Sequence, residues 1–410
     1  MSDTRLSTAT SARQRILKLS WRKSLAIEPD RYHQSLLNTP DSPDQDRRWM
    51  QLAVSAARRA EGRTGPNPPV GCVITDQTGR LVAVGHTARG GRPHAETEAL
   101  AMAGNAARGG CAYVTLEPCS HEGKTGACAD ALIAAGVVRV VIAVQDPDSR
   151  VDGRGIACLR AAGVRVDCGL AAEAAHRVMA GFLCRVRHSR PLITLKTATS
   201  MDGRIALADG MKRWITGPEM RRYVHLQRSR CDAIMTGVGT VIADNPELTC
   251  RLHGLVDDNP HRYVLDSHLR LPTDSALMKA VSDTGVTVFC RHDASADHMT
   301  ALRDAGAVVK PVDTDDHGGL SLPDVMAAVA AADHSHLMVE SGGKLAASLL
   351  HAEIVDRIAW TQSPHIIGAD GIASVAAQKL AGLPATPAFK VMDQGQFGAD
   401  RFILMERAAE

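Results

Sequence analysis

Hydrophobic and polar positions alternate along the first half of the chain in a pattern of strands separated by helices. A helix is predicted after the start signal Ser42-Pro43-Asp44, where Trp49 and the alanines that follow recur at helical spacing. The apolar runs then predict strands at residues 70–75, 81–84, 112–116, 138–144 and 164–166, and helices at residues 94–103, 127–135 and 156–162. Strands that alternate with helices of this length indicate a mostly parallel sheet covered on both faces.

A second alternation begins after the basic segment 185–191, which we interpret as the domain boundary. It predicts strands at residues 192–197, 233–236, 263–266, 286–289 and 337–339, helices at residues 218–230, 295–305, 323–332 and 344–351, and a surface loop at residues 251–261. No internal repeat of the length typical of repeat proteins is present, so the two halves are different domains. We therefore predict a poorly ordered extension over residues 1–45, a first domain over 46–190 and a second over 191–410.

The length, charge and cysteine content of the chain exclude several classes of protein. The chain has 410 residues, which is long for one core, and its 47 Lys+Arg nearly balance its 45 Asp+Glu. No basic block indicates nucleic acid as the main partner, although a local pocket for a small phosphate fits this balance. No apolar run approaches the roughly 18 residues of a membrane span. The ten cysteines lack the spacing of a small disulfide-rich domain, so we expect free thiols and a cytoplasmic protein.

One histidine, one glutamate and two cysteines form the most informative constellation. His94 and Glu96 precede Cys119, and Cys128 follows nine positions after Cys119. One imidazole and two thiolates can hold zinc and leave one coordination position open, as in catalytic rather than structural sites. Zinc lowers the pKa of a bound water from 15.7 toward about 7, and Glu96 is the predicted carrier of the proton. This arrangement is typical of zinc-dependent nucleobase deaminases, except that their two cysteines are closer together.

Two conditions bear on this interpretation. Residues two apart in a helix point to different sides, so His94 and Glu96 converge only if the helix begins there, as Pro93 favours. A closed structural zinc site would need a fourth protein ligand, for which His121 is the nearby candidate. The other alternative to a catalytic zinc site is that these residues are unrelated members of the hydrophobic core. Glu96 argues against a purely structural site, which has no use for a proton carrier.

Three segments resemble one family closely. They are Gly65-Pro66-Asn67-Pro68-Pro69-Val70-Gly71-Cys72-Val73, Pro93-His94-Ala95-Glu96 and Thr115-Leu116-Glu117-Pro118-Cys119-Ser120-His121. They resemble the bifunctional deaminase/reductase of bacterial riboflavin biosynthesis, in which the gap between the zinc cysteines is also long. The resemblance covers about residues 46–405. It implies a cytidine-deaminase-like α/β/α domain with one zinc ion per chain, followed by a dihydrofolate-reductase-like α/β domain that uses NADPH.

The resemblance also implies roles for individual residues. In the first domain, Glu96 is catalytic, Asn67 contacts the pyrimidine, and the zinc ligands are His94, Cys119 and Cys128. The implied cofactor positions in the second domain are Ala198, Trp214, Thr240, Asp244, Ser267, Gly342, Gly343, Lys344, Leu345, Ala346, Ala347 and Ser348. The implied substrate positions are Lys212, Arg228, Leu248, Arg251 and Glu340. No sequence feature identifies the general acid of the reduction, for which Lys196 and Asp244 are candidates. The chain departs from the family at Pro69, Lys212 and Gly343-Lys344, where Asn, Ser and Pro-Thr are usual.

Three functional classes compete on this sequence. The prediction is the riboflavin enzyme, which deaminates a pyrimidine ribose phosphate and then reduces its ribosyl group. The first alternative is a zinc nucleoside or nucleobase deaminase with a non-catalytic second domain, which the long cysteine gap and the scarcity of aromatic residues (3%) disfavour. The second alternative is a non-catalytic zinc-binding module, which Glu96 disfavours. We expect a small-molecule substrate, no nucleic-acid or membrane partner, and a homo-oligomer, either a dimer or a tetramer.

Overall fold

The computed structural model describes residues 42–120, 126–208, 214–255, 259–377 and 388–408. The predicted extension lies outside the described residues up to residue 41, and so do His121 and Lys212. Helix α1 (Pro43–Ala57) begins within the predicted extension, where Ser42 caps it by accepting a hydrogen bond from the backbone N–H of Gln45 (3.2 Å). Within the described parts of the chain, every helix is too short or too polar to cross a membrane.

The first half of the chain forms one five-stranded sheet with helices on both faces. Its strands are β1 (Gly71–Thr75), β2 (Leu81–His86), β3 (Cys111–Leu116), β4 (Arg139–Val144) and β5 (Arg165–Cys168). Its further helices are α2 (Ala95–Ala103), α3 (Cys128–Ala134), α4 (Arg154–Ala161), α5 (Ala172–Val178) and α6 (Ala180–His188). The prediction of strands separated by helices is confirmed for β3 to β5, whereas α5 and α6 were not predicted.

Strand order in this sheet is β2-β1-β3-β4-β5. Strands β3, β4 and β5 are parallel, and β1 is antiparallel to both β2 and β3. The antiparallel pair arises because a short turn joins β1 directly to β2, and parallel strands need a longer crossover. Helix α1 packs beside α5, and α2, α3 and α4 pack against one another in sequence. Helices thus cover both faces of the sheet, as predicted.

The second half forms a larger sheet. Its strands are β6 (Leu192–Thr199), β7 (Arg204–Ala206), β8 (Ala233–Gly237), β9 (His261–Leu265), β10 (Val286–Arg291), β11 (Val308–Val312), β12 (His336–Glu340), β13 (Arg357–Gln362), β14 (Ile372–Ala373), β15 (Phe389–Phe397) and β16 (Asp400–Arg407). Its helices are α7 (Pro218–Arg228), α8 (Val238–Asp244), α9 (Ala276–Lys279), α10 (Val281–Thr284), α11 (Ala296–Asp304), α12 (Leu322–Ala331) and α13 (Gly343–His351). Part of the predicted boundary segment 185–191 is helical, since α6 continues to His188.

The nine strands of the main sheet follow the order β11-β10-β9-β8-β12-β6-β13-β16-β15. The first seven strands in this order, from β11 through β13, are parallel to one another. The last two strands, β16 and β15, run antiparallel to their neighbours. Alternate residues of the central strands belong to two separate apolar clusters, one on each face. The carboxyl ends of β6, β8, β9 and β12 therefore meet at one edge, where ligands bind in open parallel sheets.

Candidate active sites

The three predicted zinc ligands come from three different elements and meet at one point. His94 is the residue before α2, Cys119 follows β3, and Cys128 is the first residue of α3. His94 Nδ1 lies 3.3 Å from Cys128 Sγ and 3.7 Å from Cys119 Sγ, and the three ligand atoms lie within 4.8 Å of one another. Tetrahedral zinc would space such atoms by about 3.5–3.8 Å, given its usual bonds to sulfur and nitrogen. The donor set therefore fits a single zinc ion.

The two thiols influence each other strongly. The Cys128 thiol and the His94 imidazole lower the pKa of Cys119 to about 4, and the backbone N–H of Cys128 also donates to Cys119 Sγ (3.4 Å). Conversely, Cys119 raises the pKa of Cys128 well above its usual value. Two thiols at this distance ionise together only when a cation lies between them. This behaviour is expected of a pair of zinc ligands.

Glu96 lies beside the ligands on the first turn of α2. The condition that the helix begin there is confirmed, because His94 is still in extended backbone (φ −70°, ψ 159°) and Ala95 is the first helical residue. Both side chains line the same pocket. Glu96 is only 4% exposed, and this burial raises the pKa of its carboxyl to about 7. A carboxylate with a pKa near neutrality can both accept and return a proton.

A cavity of about 350 Å³ opens onto these residues. Asn67 lies in its wall, in the segment 64–69 that precedes β1, where Thr64 Oγ1 donates a hydrogen bond to the Asn67 carbonyl (2.7 Å). The structure thus brings Asn67 together with His94, Glu96 and Cys119. The full lining is Pro66, Asn67, Pro68, Val70, Thr87, Arg92, His94, Glu96, Leu116, Glu117, Cys119, Asp146, Asp148, Arg150, Val151, Phe182, Arg185, Val186 and Asp333.

Glu117 also shapes this pocket, although the sequence suggested no role for it. Its buried carboxylate accepts hydrogen bonds from the backbone N–H groups of Asp146 (3.2 Å), Gly153 (3.0 Å) and Ile156 (3.1 Å). These bonds fix the segment after β4 against the start of the Pro118–Cys119 turn. Partners this far along the chain leave no local sequence signal.

A buried ion network lies at the carboxyl end of β12 in the second half. The Glu340 carboxylate accepts from Arg228 Nε (2.7 Å) and Nη2 (3.0 Å) and from Lys196 Nζ (3.3 Å). Burial alone would raise the pKa of Glu340, but Arg228 and Lys196 outweigh it and hold that pKa well below its usual value. Glu340 is therefore a carboxylate shared by two cations.

Arg228 connects this network to the other predicted substrate positions. Its Nη1 donates to the carbonyl of Thr249 (3.0 Å), next to buried Leu248. Arg251 follows in the same segment; its side chain is half exposed and pairs with Glu247 (3.0 Å). These contacts bring Arg228, Leu248, Arg251 and Glu340 close together.

The predicted cofactor positions lie mostly at the carboxyl edge of the sheet. Ala198 is near the end of β6, Thr240 is in α8 directly after β8, and Ser267 follows β9. Gly342 is next to Thr240, because a Cβ on Gly342 would lie 4.0 Å from Thr240 Oγ1. Two further positions lie at the surface: Trp214, 75% exposed with the Arg221 guanidinium 4.6 Å above its ring, and Asp244 at the exposed end of α8.

The predicted cofactor positions 342–348 coincide with the start of a helix, in agreement with the helix predicted at residues 344–351. Gly342 caps α13, and the other six positions already form its first turns. Gly343 is required there, since a Cβ would lie 2.4 Å from the carbonyl of Ala373, and Ala346 is buried in the core. The segment can therefore offer backbone N–H groups of a helix start to an anion, but not the Ala346 side chain.

Comparisons with known proteins identify a family for each half of the chain. Residues 43–144 match the model of the cytidine and deoxycytidylate deaminase zinc-binding region, and residues 191–395 match the RibD C-terminal domain. The riboflavin biosynthesis protein RibD of Escherichia coli K12 is 39% identical over 87% of this chain and 98% of its own length. RibD of Aquifex aeolicus is 36% identical over 79% of this chain and 88% of its own length.

Solved structures give the same result. Acinetobacter baumannii RibD has a TM-score of 0.80 at 33% identity and covers 89% of this chain and 99% of its own. A Thermotoga maritima diaminohydroxyphosphoribosylaminopyrimidine deaminase/5-amino-6-(5-phosphoribosylamino)uracil reductase has a TM-score of 0.78 at 30% identity, with the same two coverages. These matches span both halves and support the bifunctional enzyme over a zinc deaminase with a non-catalytic second domain. The chain belongs to the RibD family of riboflavin biosynthesis, whose members join a zinc-dependent deaminase and an NADPH-dependent reductase in one polypeptide.

Proposed function

We propose that the pocket around Glu96 deaminates 2,5-diamino-6-ribosylamino-4(3H)-pyrimidinone 5′-phosphate. The cleft around Glu340 then reduces the ribosyl group of the product, giving 5-amino-6-ribitylamino-uracil 5′-phosphate. The observation that carries the proposal is the buried carboxyl of Glu96 beside the converging side chains of His94, Cys119 and Cys128. We assign deamination to residues 46–190 and reduction to residues 191–410. The dimeric or tetrameric state stays a prediction, which multi-angle light scattering would measure.

In the deaminase pocket, each residue has a separate task. His94, Cys119 and Cys128 would hold zinc, which would supply a Lewis acid for the activation of water. Glu96 accepts one proton of that water and delivers it to the ring nitrogen. It then carries the second proton, from the hydroxyl group of the addition product, to the amine, which leaves as ammonia while the carbonyl forms. Asn67 orients the pyrimidine. Arg92 and Arg150 also line the pocket, and their positive charge suits a phosphorylated substrate.

At the site around Glu340, NADPH would supply the hydride. Lys196 is the proposed proton donor, because it is mostly buried and its ammonium is held by Glu340, whereas Asp244 lies at the surface. Arg228 keeps Glu340 ionised and fixes the segment that carries Arg251. The guanidinium of Arg251 would bind the sugar phosphate, for which a planar pair of donors is well suited.

The substitution Glu96→Gln tests the assignment. It keeps size and polarity but removes the proton acceptor, so zinc content should stay unchanged while deamination falls by about 10³-fold, within the usual range for general acid–base catalysis. Reduction of the pre-deaminated substrate with NADPH should continue. Glu173→Gln, an exposed carboxylate of the same half, is the control and should leave ammonia release unchanged.

Two results would contradict the proposal. Deamination by Glu96→Gln near the parent rate would remove Glu96 as the proton carrier. Loss of NADPH oxidation in a well-folded variant would show that the two activities are not assigned to separate halves.

A further inference from the structure

Arg185 joins the two halves of the chain at the wall of the deaminase pocket. It lies on α6, the last helix before the second sheet. Its Nη2 donates to the carbonyl of Pro66 (2.6 Å), and its Nη1 donates to the Asp333 carboxylate (3.1 Å). All three residues line the cavity that contains Glu96. The contact between the halves is therefore part of the pocket.

The Pro66 carbonyl belongs to the segment that presents Asn67. On its other side this segment is held within the first half: Thr64 Oγ1 bonds the Asn67 carbonyl, and the Gly90 N–H bonds the Arg63 carbonyl (2.8 Å). Pro66 has no N–H with which to anchor itself. Its carbonyl is held by a guanidinium whose own direction depends on Asp333.

Asp333 is placed for this contact by the end of α12. It adopts φ +63°, the left-handed conformation that usually favours glycine or asparagine after a helix, and its N–H bonds the Ala330 carbonyl (3.0 Å). The Asp333 side chain is 62% exposed and that of Arg185 is 21% exposed. A partly exposed ion pair contributes little to stability, so its main effect is to orient the guanidinium toward Pro66.

We propose that Arg185 is a positioning residue of the deaminase site, through which Asp333 of the reductase half sets the position of the segment that carries Asn67. The proposal rests on the assignment of Asn67 to the pyrimidine made above. Substrate affinity of the deaminase then depends on the other half of the chain, whereas the chemical step does not.

The test uses the full-length, zinc-loaded protein and both half-reactions. Arg185→Ala should raise the KM of deamination about tenfold, as expected when a charge-assisted hydrogen bond is lost, and leave its kcat within about twofold. Arg185→Lys should recover part of the KM, because one ammonium keeps the charge and reaches one of the two acceptors. Zinc content and both reductase constants should stay unchanged. Arg187→Ala, an exposed arginine on the same helix, is the matched control.

Asp333→Ala separates positioning from direct contact with substrate. It should raise the deaminase KM about threefold by itself and add nothing to Arg185→Ala, since the two side chains act in series. An unchanged KM in either single variant overturns the proposal. So does a parallel fall in zinc content, kcat or reduction, which would indicate a general structural role.

Asn67→Ala distinguishes this inference from the assignment beneath it. A raised KM in Asn67→Ala with a normal KM in Arg185→Ala refutes the positioning role alone. A normal KM in Asn67→Ala refutes the substrate assignment, and the positioning role with it.

Discussion

Gly155→Ala should disable the deaminase from outside its pocket. Gly155 is in the first turn of α4, where a Cβ would lie 1.9 Å from the carbonyl oxygen of Pro118 and 3.2 Å from Glu117 Oε1. Pro118 directly precedes Cys119, so whatever relieves the clash moves a predicted zinc ligand or the helix packed beside it. Gly155 has an ordinary backbone conformation that alanine also adopts, and the effect is therefore purely steric.

The size of the effect follows from that distance. A carbon–oxygen contact of 1.9 Å must open by about 1.3 Å to reach an ordinary separation, and overpacking of this kind typically costs 1–3 kcal/mol. A displacement of about 1 Å in catalytic geometry can lower the rate about 10²-fold. Moving α4 outward instead would break the bond from the Ile156 N–H to Glu117 (3.1 Å) and release the pocket wall. We expect deaminase kcat/KM to fall about 10²-fold by either route.

The assay is ammonia release at fixed zinc, with metal content measured on the same sample and NADPH oxidation as the internal reference. Reduction should stay within about twofold of the parent, since the clash is confined to the first half. Gly126→Ala is the control: it lies close to Cys128, also has an ordinary backbone conformation, and its Cβ would meet no atom of the described residues within 4 Å. Parent-like deamination in Gly155→Ala would refute the reasoning, as would equal losses in the two alanine variants.

Two other changes probe separate parts of the molecule. Arg251→Ala should raise the KM for the phosphorylated sugar about tenfold in the reductase assay alone, because a charge-assisted hydrogen bond is lost; an unchanged KM in steady-state kinetics would remove Arg251 from the site. For Asp46, burial alone would raise the pKa, but hydrogen bonds from Arg139 and Tyr113 outweigh it and lower the pKa below its usual value. The folded pKa then lies below the unfolded one, so the carboxylate stabilises the fold above about pH 4, and this contribution disappears as the pH falls through the folded pKa. Asp46→Asn should therefore lower Tm by several degrees at pH 7 and by progressively less as the pH falls below about 4, and a Tm loss independent of pH in thermal melts would contradict this linkage.

The elements best predicted from the sequence are those in which buried apolar residues recur at regular spacing or form a continuous run. Strands β3, β4 and β10 are almost wholly buried, and their apolar runs are correspondingly clear. Strands β15 and β16 were missed because β15 is an edge strand with mostly exposed side chains, so it has no apolar run to detect. The last turn of helix α6 was interpreted as part of the domain boundary because it is basic, although basic residues favour the carboxyl end of a helix.

The two sites also differ in how far the sequence alone predicts them. His94, Glu96, Cys119 and Cys128 were predictable because zinc restricts the residue types and short connections bring them together. The network around Glu340 was not predictable in this way, since Arg228 and Lys196 lie 112 and 144 residues away from Glu340 along the chain. The resemblance supplied the positions of Arg228 and Glu340, but only the fold shows that they bind each other. Arg185 and Asp333, 148 residues apart, had no signal in the sequence.

The position of Asp333 also bears on how the two reactions are connected. Asp333 precedes β12 and contacts the deaminase pocket through Arg185, whereas Glu340 ends the same strand in the reductase cleft. The deaminase half therefore contacts the sheet at the amino end of β12, and the reductase cleft lies at its carboxyl end. Five residues of strand separate these ends by roughly 13–17 Å of sheet, which no side chain spans. On the proposal above, the contact through Arg185 makes substrate binding in the deaminase pocket depend on the amino end of β12, opposite the end that carries Glu340.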